Sequence, residues 1–488
     1  MLWLPFSALF HDIDYDEGQY IAAVALMRTG LPFRDFLYLQ TPLHPILLAP
    51  LAWLAEGHLF VALRLANAAL VGATLILIYR AVLAHGGGSE RAWLAVALMA
   101  LCEPILFIAA VARNDATPML LEAIGVILLI KNWEHPGRQW SFALAGLFMG
   151  LAIATKLHFA LVGVAAGLVM IAQWRRVRWP AILLYAAGGI VGCLPIFLFW
   201  AIAPDAFWFG VIEYPATAPW QWYQLGDRTE LFWPPVVGLR LLRFTILGPT
   251  LLVIGLIIRS RLRREPRSEV VKLLDILIIA GLVAGIMPQP IFRQYLAPLY
   301  PVLFIRFGLT RTWWPRQLIW RLLILVSTFA ALFESACTAG GNLFPNALKG
   351  ISPPLAAERD ARWIGSIMSP TSRVAGLAPE RYIDSGLAFD RRFATGPFIF
   401  RTENLVTREQ SERWHVVPRA QMPVIFADDP PDLIVVGGHR QNDVAAPHGL
   451  DTHIDDWTTA HGWSRINSPS GEISVYIRPD ASGRGSTP

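Results

Sequence analysis

The sequence predicts an all-α polytopic membrane domain of about 10–12 transmembrane helices, followed by a small C-terminal extracytoplasmic α/β domain. Three observations predict it. The chain of 488 residues is 55% hydrophobic and only 16% charged, an apolar excess beyond that of ordinary soluble domains. The excess is gathered into uncharged runs, many long enough for a bilayer, spread over the first two-thirds of the chain. After about residue 340 the composition changes, and Asp, Arg, Ser and Pro become frequent. Gly 38 and Pro 36 are too few and too aperiodic for a fibrous or disordered chain. Cys102, Cys193 and Cys337 have no paired spacing, so neither a disulfide framework nor a cysteine metal site is expected.

Apolar segments fall at 1–10, 59–79, 92–112, 115–130, 141–155, 157–173, 181–203, 235–258, 273–287, 290–309 and 318–336. The first is too short to span, which points to a truncated or misassigned start or to a tilted, incomplete segment. Basic residues then set the sidedness. Arg80 and Arg91, Lys131 and Arg138, Arg175 to Arg178, Arg259 to Lys272, and Arg306, Arg311, Arg316 and Arg321 occupy alternate loops. Such loops face the cytoplasm. The net charge of +5 is therefore mostly a topology signal, and nucleic-acid binding loses its main support.

This reading gives a transmembrane domain at 1–336, an extracytoplasmic α/β domain at 337–480 and a flexible tail at 481–488. Two external loops, 11–58 and 204–234, belong to the first domain. Within loop 11–58, the apolar run Leu43 to Ala55 is broken by Pro45 and Pro50 and is too short to span, so it reads as interfacial or re-entrant. Loop 204–234 carries Trp208, Trp220, Trp222, Tyr223 and Trp233, residues suited to the headgroup level as an aromatic belt or as a grip on a lipid-linked molecule. In the C-terminal domain, Ile473 to Ile477 reads as a strand preceded by an Asn467 to Gly471 turn.

Some polar residues are not explained by membrane burial. Asp12, Asp14, Asp16 and Glu17 crowd the external loop that starts at His11. Like charges this close need water, a metal or a cation between them. The run Tyr20 to Leu26 reads as a helix lying on the membrane, with Asp16 or Glu17 at its N-terminus, where amides favour an anion. Arg113, Asn114 and Asp115 fill a very short turn, Lys156 lies in another, and Arg293 follows Pro288 and Pro290. Ionisable groups at membrane depth usually face a cavity, an interface or a partner. Lys156 and Arg293 could bind the phosphate of an isoprenoid-linked substrate, Asp16 and Asp115 could serve chemistry, and snorkelling is the plain alternative for each cation. Glu103 and Glu122, within spans, read as interhelix pairs or cavity lining.

Asp16-Glu17 with Tyr20 and Ala23, then Gly30 to Asp35 and Thr41-Pro42, resembles the first external loop of bacterial GT-C membrane glycosyltransferases. These include the dolichyl-phosphate-mannose protein mannosyltransferase-like enzymes and the aminoarabinose transferases. Arg113 with Asp115, Gly150 to Lys156, and Arg293 to Pro298 with Pro301 are further matches, so the resemblance covers nearly the whole chain. It implies a GT-C fold and an inverting glycosyltransferase that moves a sugar from a polyprenyl-phosphate donor to an envelope acceptor on the extracytoplasmic side. The implied catalytic residues are Asp16, with Glu17 beside it, and Asp115. The implied substrate-binding residues are Lys156, Arg293, Arg113, Tyr20, His44 and Tyr295. Thr41 stands where many relatives have Lys, which weakens any grip of this loop on phosphate; His44 either replaces part of it or is an interfacial histidine without a catalytic role.

Such a reaction needs a carboxylate within hydrogen-bond reach of the acceptor hydroxyl, cations at the departing phosphate and an exposed anomeric carbon. It also needs the first acidic loop and the turns bearing Asp115, Lys156 and Arg293 to gather around one pocket at the outer leaflet. A divalent cation shared by Asp16 and Asp115 is left open, because no close ligand spacing demands it. Expected partners are the polyprenyl-phosphate sugar, membrane lipids and a glycan, lipid or protein acceptor, in a multi-pass inner-membrane protein. The rival readings are a transporter or flippase for a lipid-linked solute and a non-catalytic envelope-polymer binding protein.

Overall fold

The computed structural model describes residues 3–134, 139–264, 267–310, 318–337, 342–438, 446 and 448–479. The expected tail at 481–488 and the basic residues Arg138, Arg311 and Arg316 lie outside them. The chain forms two compact units: 1–12, 65–197 and 231–349 in the first, and 13–64, 198–230 and 350–488 in the second. These units do not follow the sequence boundary near 337, because two stretches read as membrane-domain loops pack with the C-terminal segment.

Apolar helices dominate the first unit. Among the described residues, Leu59–Ala84 and Ala116–Trp133 are each long and apolar enough to cross a membrane. Three bent pairs raise the number to five: Ser89–Ala100 with Glu103–Ala110 (69°), Trp179–Gly192 with Leu194–Ile202 (42°), and Pro234–Ile246 with Thr250–Leu262 (89°). Five is fewer than the ten to twelve spans expected. Much of the remaining apolar sequence lies in shorter helices such as Trp140–Thr155 and Leu157–Ala172. The breaks have backbone causes: Pro104 and Pro195 open the second members of two pairs, and Gly248, at φ +101°, precedes Pro249 in the third.

Two glycines govern how the Trp140–Thr155 and Trp179–Gly192 helices meet. A Cβ on Gly146 would lie 1.9 Å from the Tyr185 carbonyl oxygen, and one on Gly188 would lie 2.0 Å from that of Ala143. Bare backbones therefore touch, as in small-residue packing of membrane helices, where lipid gives no hydrophobic drive and close van der Waals contact must supply the attraction. The register of the first helix is fixed by this contact, and Lys156 is the residue that ends it.

In the second unit a five-stranded sheet runs β2-β1-β3-β5-β4. The strands are β1 (Arg373–Gly376), β2 (Ala388–Phe389), β3 (Leu433–Val436), β4 (Ser464–Asn467) and β5 (Ser474–Ile477). β1 is parallel to β2 and β3, whereas β5 is antiparallel to β3 and β4. Every residue of β3 and β5 is buried, which is why β3 reads as a continuous apolar run rather than an alternation. Leu433 and Val435 face one core and Ile434 and Val436 the other. β5 meets the expectation for Ile473 to Ile477.

Two expectations for the loops are corrected. The helix Glu17–Leu26 does not lie as a surface helix: all its residues except Ala25 are buried. Gly18 permits this, since the Glu380 carboxylate and the Pro379 ring come within 2.5 and 2.9 Å of where its Cβ would be. Segment 204–234 is largely helical rather than a loop, with Pro204–Trp208, a π-turn at Phe209–Glu213 and Tyr214–Leu225. Trp208, Trp220 and Trp233 are exposed, as an aromatic belt requires, but Trp222 is buried in the core of this unit.

Candidate functional site

In the first unit, Asp115 immediately precedes the Ala116–Glu134 helix. The turn that carries it is pinned by Asn67, whose amide nitrogen donates to the carbonyl oxygens of Val111 and Arg113 at 2.7 Å each. Lys156 Nζ donates to Asp115 Oδ1 at 2.5 Å, and Arg113 Nε lies 3.5 Å from Asp115 Oδ2. All three side chains are buried. Arg293 begins the 3-10 turn Arg293–Leu299, which packs on the Glu269–Ile286 helix. It pairs with Glu103, as the interhelix reading of that residue expected. Its guanidinium lies 3.9 Å from the centroid of the Phe107 ring, and Arg113 faces the same ring at 5.9 Å. Tyr295 completes the group, its ring centroid 5.7 Å from Lys156 Nζ and 6.0 Å from that of His158.

Arg113, Asp115, Lys156, Arg293 and Tyr295 are therefore brought together, with Phe107 and His158 added. Three cations meet two carboxylates, Asp115 and Glu103. Burying charge is tolerable only when it is paired, and Asp115 pairs with Lys156 and Arg113 while Glu103 pairs with Arg293. A cluster of Arg and Lys side chains suits an anion of phosphate type, which they can hold by charge-assisted hydrogen bonds.

In the second unit the first acidic loop makes hydrogen bonds within itself. Asp14 N donates to Glu17 Oε2 at 2.8 Å, and Asp16 N donates to Asp14 Oδ1 at 3.2 Å. Asp16 is the N-cap of the Glu17–Leu26 helix and remains partly exposed. Glu17 is wholly buried and takes two hydrogen bonds from Arg64, at 2.8 and 2.5 Å. The like charges in this loop are thus separated by backbone amides and one arginine. Tyr20 and His44 are buried edge to face, with ring centroids 5.9 Å apart. Tyr214 donates its hydroxyl to the Phe398 carbonyl at 2.8 Å, and burial pushes its phenol up from the ordinary value.

The sequence reading missed Arg64, Arg401 and His158. Arg64 had a signal, being a lone charge inside an otherwise apolar span. Arg401 had none, because arginine is common throughout the C-terminal segment. Among the described residues, no group of three or more His, Cys, Asp or Glu side chains could hold a metal ion.

Comparison with known proteins adds the following. The family model described as Glycosyltransferase family 87 matches residues 37–288, about half of the chain. That stretch includes Arg113, Asp115 and Lys156, starts after Asp16 and stops before Arg293. The fold is similar to that of ArnT from Cupriavidus metallidurans bound to undecaprenyl phosphate, with a TM-score of 0.62, 15% identity, and coverage of 100% of this chain and 97% of that one. ArnT from the same organism in the apo state gives a TM-score of 0.61, 14% identity and the same coverages. No curated protein sequence matches the chain.

Proposed function

The chain belongs to glycosyltransferase family 87, and from that premise we propose that it is an inverting transferase moving a sugar from a polyprenyl-phosphate donor to an envelope acceptor. Membership of this family, with its apolar helices, makes it a membrane transferase and displaces the transporter and polymer-binding readings. The proposed location is the inner membrane, with the reaction and the sheet-bearing domain on its extracytoplasmic face. The ArnT that shares its fold was crystallised with undecaprenyl phosphate, which supports a lipid phosphate as the carrier.

One observation carries the donor assignment: the buried Arg113 and Lys156 and the partly exposed Arg293 gather around Asp115, Glu103 and the Phe107 ring. In this reading Lys156 and Arg293 hold the donor phosphate, Arg113 adds to the field, and Asp115 holds Lys156 in place. Tyr295 lines the same site. Asp16 is the base: it is partly exposed at the N-cap of the Glu17–Leu26 helix, whereas its neighbour Glu17 is wholly buried against Arg64. Tyr20 and His44 support the loop from behind.

The reaction is a single displacement. Asp16 takes the acceptor hydroxyl proton as that oxygen attacks the anomeric carbon. The bond from that carbon to the phosphate oxygen breaks, and the polyprenyl phosphate leaves with the bonding pair. Negative charge grows on the departing phosphate, so cations already aimed at it lower the barrier without reorganising. Incubating the purified protein with radiolabelled polyprenyl-phosphate sugars and envelope extracts tests this. Acceptor-dependent consumption of donor with inverted product stereochemistry is expected; binding without consumption, or retention of configuration, overturns it.

A further inference from the structure

A guanidinium packed on three aromatic rings stands beside the first acidic loop, within the second unit. Arg401 ends the short helix Pro397–Arg401. Its guanidinium carbon lies 5.4 Å from the ring centroid of Tyr15, 5.3 Å from that of Trp222 and 4.5 Å from that of Phe398. Tyr15 also meets Phe398 edge to face at 5.9 Å. Tyr15 is the residue before Asp16, so the stack ties Arg401 to the backbone that carries the proposed base. A second tie runs through Tyr214, whose hydroxyl is in hydrogen-bond relation with Arg401 and Thr402 and feels the charge of Asp16.

We propose that Arg401 is a positioning residue for Asp16, fixing the direction of this carboxylate and keeping it ionised. The inference rests on the reading of Asp16 as the base. Arginine suits the role because it stacks on rings and keeps its charge at every working pH, so its location is set by packing rather than by its partner. A fixed cation near a carboxylate favours the ionised form. Other charged groups also border the loop: Asp14 accepts from Asp16 N, Glu17 pairs with Arg64, and Glu380 approaches Gly18. The consequence is that the C-terminal segment contributes to chemistry performed by the N-terminal loop.

Membranes from cells lacking this protein supply donor and acceptor, and purified variants added to them yield product measured by mass spectrometry over a range of pH. In Arg401→Gln the acidic limb of the rate should move to higher pH by about one unit, and Arg401→Lys should return it part of the way. Tyr15→Leu, at a half-buried position, removes one face of the stack and should move the limb in the same direction by less. A purely structural role would lower yield or melting temperature with the limb in place. The proposal is overturned if the limb of Arg401→Gln coincides with wild type, or, where that variant does not fold, if the limb of Tyr15→Leu does. Asp16→Asn separates the two ideas: full activity there sinks the base assignment, whereas an inactive Asp16→Asn with an unmoved Arg401→Gln limb sinks the positioning role alone.

Discussion

Arg64 grips Glu17 through two hydrogen bonds, with neither side chain reached by solvent. The pair joins the first turn of the Glu17–Leu26 helix to the Leu59–Ala84 helix and so holds the proposed base, Asp16, one residue away. Removing one partner strands the other charge in a medium that cannot solvate it. Glu17→Gln should therefore cost about 3–5 kcal/mol, seen as a lower unfolding temperature in detergent. The double variant Glu17→Gln with Arg64→Met should recover part of that loss; equal or greater damage in the double variant would refute the account.

Asp16→Asn keeps the shape of the N-cap and removes the proton acceptor. Transfer should fall by about 10²–10⁴-fold, while binding of polyprenyl phosphate, followed by tryptophan fluorescence, stays near wild type. Ordinary turnover would assign the base elsewhere.

Lys156→Met removes the cation nearest Asp115. Because the site is buried and the contact to phosphate is charge-assisted, affinity for polyprenyl phosphate should weaken by about 10- to 100-fold, in line with roughly 1.5–3 kcal/mol per such bond. Titration calorimetry in nanodiscs reads this directly. Unchanged affinity would move the phosphate away from Lys156.

Gly146→Leu places a side chain where the Tyr185 carbonyl oxygen already lies 1.9 Å from the position of a Cβ. The Trp140–Thr155 and Trp179–Gly192 helices must part, and Lys156, at the end of the first, must shift with them. Loss of polyprenyl-phosphate binding is expected, although no residue of the phosphate set has changed. Retained binding would show that this packing does not control Lys156.

Glu380 is raised to about 7, chiefly by burial and against the nearby charge of Arg381. Asp384 is raised to about 6, again by burial, against two hydrogen bonds donated by Leu59 N and Phe60 N. Each group binds its proton more tightly folded than unfolded, so its favourable contribution is complete below the unfolded value near 4 and is lost as pH rises through the folded one. The unfolding temperature should therefore decline between about pH 5 and 8. Glu380→Gln should flatten the upper part of that decline, and a profile identical to wild type would rule out Glu380 as its source.

The membrane class, the separate composition of the C-terminal segment and the special status of Asp16, Asp115, Lys156 and Arg293 could all be read in order along the chain. Each leaves a local mark: an uncharged run is costly in water, and a charge at membrane depth is costly without a partner. Glu103 with Arg293 shows where that kind of reading stops, because a lone charge announces that it needs a counter-ion without naming which one, 190 positions away.

Only the tertiary structure decided that Glu17 is spent on Arg64, that the acidic loop's helix is buried rather than surface-lying, and that Trp222 and Arg401 meet beside Tyr15. It also decided that 13–64 and 198–230 pack with 350–488. Hydropathy and charge are properties of neighbours in sequence, whereas pairing, stacking and close backbone contact belong to neighbours in space, and the folded chain alone says which those are.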